Sequence, residues 1–114
     1  MKRKAENSEN YLDKIPRHNI NIAFTTDEKN IVTLEIENKG IMNRVCQKLF
    51  KKPKISYIHL DVFGSFVWLL IDGKTDITKI GKEVENRFGE KAQPLYERLV
   101  QYFKTLESYG FIEY

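Results

Sequence analysis

Hydrophobic positions along this chain follow two periods, a twofold one in its first half and a helical one after residue 60. Ile20-Asn21-Ile22-Ala23-Phe24 and Ile31-Val32-Thr33-Leu34-Glu35-Ile36 alternate, and Thr26-Asp27-Glu28-Lys29-Asn30 between them supplies turn residues. This pattern predicts a hairpin with Ile20, Ile22 and Phe24 on one face of the first strand and Val32, Leu34 and Ile36 lining the second. Ile55 to Leu60 reads as a third strand, with its buried face left open between two registers by Ser56 and Tyr57. Beyond it, Asp61 is placed as N-cap for Val62 to Ile71, a stretch apolar nearly all the way round. A short helix without a polar face must be covered on several sides, so the pattern makes it the central helix. Asp76 then caps Ile77 to Phe88, whose Ile77, Ile80, Val84 and Phe88 form a stripe that Gly89 ends.

The last helix, Pro94 to Tyr109, starts with proline in its first turn and stops at Gly110, and Phe111 to Tyr114 reads as a short final strand. On a wheel of about 100° per residue, Leu95, Tyr96, Leu99, Val100, Tyr102, Phe103, Leu106 and Tyr109 span roughly 180°, wider than the roughly 100° stripe that burying one face requires. The excess either packs under other elements or is kept for a partner. Between hairpin and third strand, Ile41 to Phe50 forms a short amphipathic segment through Ile41, Met42, Val45, Cys46, Leu49 and Phe50, and Pro53 ends it. Residues 1–19 mix charged and amide side chains around Tyr11, Leu12, Ile15 and Pro16, which reads as a flexible N-terminal arm before a single domain at 20–114. The predicted fold class is α+β.

A length of 114 residues, 41% hydrophobic content and 19 basic against 16 acidic residues fit one soluble domain. No apolar run approaches the roughly 20 residues of a membrane span, and the N-terminus lacks a signal peptide's apolar core, so a cytoplasmic location is expected. A single cysteine, Cys46, excludes an intrachain disulfide, and with only His18 and His59 beside it a dedicated transition-metal site is not expected. No nucleophile has a spaced base, no glycine-rich phosphate loop follows a strand, and no paired carboxylates line a plausible cleft. The residues therefore point to a binding module with no catalytic residue and no cofactor.

Charge adds a local feature. From Asn38 to Leu60 there is no Asp or Glu, while Lys39, Arg44, Lys48, Lys51, Lys52 and Lys54 are all basic. Such a run steers an acidic peptide, with an attraction that salt weakens, or serves only as a solvated face. Phosphates of a nucleic acid could use the same charges. His59 could donate to a bound carbonyl, although a lone histidine on a strand is more often a satisfied residue. Trp68, on an otherwise apolar helix, reads as core.

The hairpin, third strand, Leu-Asp-x-x-Gly-x-x-x-Trp segment, Asp-Gly-Lys turn, capped second helix and long third helix together resemble the PqqD family, named for pyrroloquinoline quinone biosynthesis. The likeness covers roughly residues 20–112 through Leu60, Asp61, Gly64, Trp68, Asp72, Gly73, Ile77, Ile80, Val84, Leu99, Leu106, Gly110 and Ile112. It implies a winged-helix-like domain, here a hairpin and third strand followed by a three-helix bundle, with the extra short helix inserted before the third strand. It also implies recognition of the leader segment of a ribosomally made precursor peptide, which is presented to a modifying enzyme, often a radical S-adenosylmethionine enzyme. In the family the leader adds as a strand beside the third strand and lies in the groove toward the third helix. On this chain the resemblance places that contact at Ile55, Tyr57, Ile58 and His59, with Tyr96, Leu99, Val100, Phe103 and Glu107 as groove wall, beside the basic residues Lys48, Lys51, Lys52 and Lys54. The segment 41–54 and the longer arm 1–19 depart from the short family members.

Two other readings compete with leader recognition. A winged-helix nucleic-acid binder would need a recognition helix dense in Arg, Lys, Asn or Gln. Thr78, Lys79, Lys82 and Asn86 are instead interleaved with Glu83 and Glu85, which disfavours it. The other is an interaction subunit that docks on an enzyme without carrying a peptide. A domain with a free strand edge can also exchange strands between protomers and form a homodimer.

Overall fold

The computed structural model describes residues 11–38 and 54–114. The predicted helix Ile41–Phe50, the first ten residues of the predicted arm, and Lys48, Lys51 and Lys52 lie outside them. In chain order the described elements are β1 (Arg17–His18), β2 (Ala23–Thr26), β3 (Val32–Asn38), β4 (Lys54–His59), α1 (Val62–Leu70), α2 (Ile77–Phe88), a 3-10 turn at Gly89–Ala92, α3 (Leu95–Ser108) and β5 (Ile112–Glu113). The fold is α+β, as expected, with one three-stranded sheet, one two-stranded sheet and three α-helices among the described residues. The chain divides into two compact units, Ile20–Ser65 and a second made of Met1–Asn19 with Phe66–Tyr114.

In the unit Ile20–Ser65, β2, β3 and β4 form an antiparallel sheet in that order. Its hairpin turn is built by Asp27, whose carboxylate accepts the N–H groups of Lys29 at 2.8 Å and Ile31 at 2.9 Å. Asn30 takes φ 64°, the left-handed conformation that asparagine tolerates. The first strand starts later than alternation predicts. Residues 20 and 21 form a turn, Ile20 is 94% exposed, and pairing begins at Ala23 opposite Glu35. Period two marks a strand only where a partner continues, and this hairpin has four pairs. On β3 the expected line holds, with Val32 and Leu34 fully buried and Ile36 half-buried.

Asp61 caps α1 as predicted: its carboxylate accepts the Gly64 N–H at 2.6 Å and its carbonyl the Ser65 N–H at 2.8 Å. Ser65 is buried, and its hydroxyl accepts the Val32 N–H at 2.8 Å while donating to the Leu60 carbonyl at 3.3 Å. Because the Leu60 N–H reaches the Val32 carbonyl directly at 2.9 Å, Ser65 relays the second bond of that strand pair through its side chain. The helix is less enclosed than its composition predicts: Val67 and Trp68 are fully buried, whereas Val62 and Leu69 are exposed.

In the other unit, Asp76 caps α2 by accepting the Lys79 N–H at 2.8 Å, and Gly89 ends it at φ 58°. Ile77, Ile80 and Val84 are buried as expected, and Phe88 meets Phe66 edge-on at 5.4 Å. Gly81 lets α2 and α3 approach, since a Cβ there would lie 2.8 Å from Tyr96 Cε1 and 3.0 Å from Leu99 Cδ1. Pro94 precedes α3 as its extended cap residue rather than sitting inside the first turn. The helix ends in a Schellman arrangement, with Gly110 N–H on Glu107 O and Phe111 N–H on Leu106 O, both at 2.9 Å, and φ 77° at Gly110.

Residues 11–19 run along the same unit. The Ile77 N–H donates to the Lys14 carbonyl, the Gly73 N–H to the Pro16 carbonyl and the Asn19 N–H to the Phe111 carbonyl, and β1 pairs with β5. The His18 ring stacks on Trp68 at 4.0 Å, and its Nε2 donates to the Trp68 carbonyl at 2.9 Å. Burial lowers the His18 pKa below its ordinary value. Buried Tyr11 joins its hydroxyl to that of Tyr114, and burial raises the Tyr11 pKa to about 12 and pushes Tyr114 up as well.

Candidate functional site

The strand β4 has one ladder partner among the described residues, β3. Antiparallel pairs alternate between residues that exchange hydrogen bonds and residues that do not. The Leu60 N–H to Val32 O bond fixes the phase. Counting along the register, Ile58 opposite Leu34 and Ser56 opposite Ile36 turn their main-chain groups onto β3. Ile55, Tyr57 and His59 turn theirs to the outer edge. Three N–H groups and three carbonyls thus form a ribbon along one side of β4.

The same register settles the face that sequence left open. Ser56 and Ile58 share the side of Leu34 and Ile36, while Ile55, Tyr57 and His59 share the other with Thr33, Glu35 and Glu37. Tyr57 is 59% exposed, and Ile55, Ile58 and His59 are exposed as well. His59 Nδ1 lies 2.8 Å from Thr33 Oγ1. That contact orients the imidazole and leaves Nε2 for another partner.

The helical residues of the expected site stand differently. Leu99 and Phe103 are fully buried in their unit, Tyr96 is partly exposed beside Gly81, and Val100 is half-buried. Glu107 is exposed and accepts from the Tyr11 hydroxyl at 3.5 Å. The nine residues thus fall in both units, four on β4 and five on α3. Of the basic residues only Lys54 is described, as the first residue of β4.

Two features escaped sequence reasoning. Thr33 and Glu35 come onto the exposed face beside His59 and Tyr57, which the pairing register alone reveals. A cavity of about 480 Å³ opens between Leu69, Leu70 and Ile80 on one hand and Lys79, Lys82 and Glu83 on the other, and none of the nine predicted residues lines it. Asp72 at its rim is held below the usual carboxylate range, first by the Lys74 N–H and then by Thr75, which identifies it as the anchor of a turn. Among the described residues no three His, Cys, Asp or Glu side chains gather as a metal site.

No curated protein and no solved structure matches the chain. The model of one family, described as coenzyme PQQ synthesis protein D (PqqD), matches residues 32–112. That span contains β3, β4 and all three helices, including the capped Asp61 and Asp76 turns. Covering most of the sequence with these elements in order, the match establishes that the chain belongs to the PqqD family.

Proposed function

We propose that this chain binds the leader segment of a ribosomally made precursor peptide by adding it as a strand beside β4, and presents it to a modifying enzyme of the radical S-adenosylmethionine type. Membership of the PqqD family supports a part in the biosynthesis of coenzyme PQQ or of another ribosomally made product, in an accessory capacity. The observation that carries the reading is the outer ribbon of β4, where Ile55, Tyr57 and His59 direct their main-chain groups away from β3. Strand addition uses those groups for affinity, because any extended segment supplies complementary amides, and leaves selectivity to alternate side chains. An exposed edge is otherwise an aggregation hazard that natural proteins blunt. Tyr96, Leu99, Val100, Phe103 and Glu107 complete the proposal as the helical wall, where Tyr96, Val100 and Glu107 retain accessible surface.

The experiment is an amide NMR titration of the full chain with each short precursor encoded beside its gene. The N–H groups of Ile55, Tyr57 and His59 gain partners and shift most, whereas Ser56 and Ile58 are already bonded to β3 and shift less. Spectra that no neighbouring precursor changes would overturn the reading. Stable co-purification with an enzyme in the absence of any precursor binding would replace it with a docking role.

A further inference from the structure

Among the described residues, the exposed face of the three-stranded sheet carries acidic side chains, with His59 on the same face. Its charged side chains on β3 are Glu35 and Glu37, β2 contributes only Ala23 and Thr25 there, and β4 brings Tyr57 directly opposite Glu35. Glu35 makes no ion pair among the described residues, and Tyr57 is the most exposed of the large hydrophobic residues on β4.

A strand added beside β4 places its residues about 4.8 Å from Tyr57 and about 10 Å from Glu35, and alternate side chains fall on this face. A short side chain next to Tyr57 touches the ring only. A carboxylate there meets the like charge of Glu35. Lysine and arginine are long enough to cross the ring and end near the Glu35 carboxylate, and a cation over a tyrosine face is attracted by the ring quadrupole.

Resting on the strand-addition reading above, we infer that the peptide taken up by β4 carries a lysine or arginine at the residue beside Tyr57, its cation lying over the Tyr57 ring and reaching the Glu35 carboxylate. Tyr57 and Glu35 then act as a specificity pair that reads one residue of the leader and its register. The basic run 39–54 acts on the peptide's total charge instead, so an acidic leader with a single cation at this position satisfies both.

A random-peptide library displayed on phage and selected on the immobilised full chain tests this without knowledge of the client. Selected peptides share a Lys or Arg position flanked at alternate residues by apolar ones, and the enrichment disappears on the Glu35→Gln chain. A selected peptide loses roughly two- to fivefold in affinity when its cation is replaced by glutamine, and added salt narrows that difference. Tyr57→Leu also removes the preference. Peptides that shift the β4 amides yet show no basic position, or an acidic one, overturn the specificity pair and leave strand addition standing. A library that yields no peptide acting on β4 removes both.

Discussion

The strand β4 and the helix α3 each carry residues of the proposed site, and they hold opposite resources. In β4 the side chains of Ile55, Tyr57, Ile58 and His59 are exposed, and half of the main-chain groups face outward. In α3 the main chain is spent inside the helix, and its apolar stripe of Leu95, Leu99, Phe103 and Leu106 is buried. A strand edge therefore offers backbone to a partner, and a packed helix offers only the side chains that its core leaves over. If the leader binds as proposed, most of its affinity comes from β4, while α3 tunes which sequence is accepted.

The strongest perturbation removes the core of the helical unit. Trp68 is fully buried and stacked by His18, so Trp68→Ala is expected to cost about 3–5 kcal/mol. Thermal melting followed by circular dichroism checks this. A melting temperature close to that of the parent would mean that the helical unit does not depend on its largest buried side chain.

A pair of proline substitutions separates the two edges of β4. Ile58→Pro deletes an N–H that faces β3 and strands the Leu34 carbonyl, a loss of about 2 kcal/mol or more. Tyr57→Pro deletes an N–H that faces outward, and proline is tolerated at such edge positions. Its stability stays near that of the parent while precursor binding falls sharply. The reverse outcome, a stable Ile58→Pro and an unfolded Tyr57→Pro, would show that the ladder phase is shifted by one residue.

Ser65→Ala tests the other end of the same sheet. It leaves the Val32 N–H and the Leu60 carbonyl without the hydroxyl that joins them, at an expected cost of about 1–3 kcal/mol in urea unfolding. Faster exchange of the Val32 amide should accompany the loss. Unchanged exchange would mean that the strand pair closes directly once the hydroxyl is gone.

Much of this architecture was legible because local rules and tertiary packing agree. Asp61 and Asp76 cap, Gly89 and Gly110 stop, and Val32 and Leu34 point inward, each for a reason contained within a few residues. The rest depends on partners far along the chain. Nothing near Arg17 and His18 signals their pairing with Glu113 and Ile112, because a two-residue strand has no readable period. Ser65 looks like an interruption in an apolar helix until Val32 is brought to it. In the site, composition suggested the strand 55–60, but which of its residues face outward followed only from the register with β3. The arc of α3 is wider than its buried face, since Tyr96 and Tyr109 remain exposed, and the sequence alone left open whether that excess packs or stays accessible.

His18 supplies the mildest test, one that acts on the helical unit and spares β4. Its ring is packed on Trp68 and donates to the Trp68 carbonyl, and burial lowers its pKa in the folded state. The unfolded chain therefore binds a proton more readily than the folded one. Stability is fully present above the unfolded value of about 6.5 and declines as pH falls from there toward the lower folded value, below which this contribution levels off. Urea unfolding from pH 8 to pH 5 should register that decline in the parent and a shallower one in His18→Gln, whose side chain does not titrate. Tyr11 is silent across the same range, since burial moves its titration to about 12. Equal slopes for parent and variant would place the acid sensitivity on the carboxylates and remove His18 from the account. Binding at β4, if it answers to main-chain groups, keeps its affinity in His18→Gln wherever the chain remains folded.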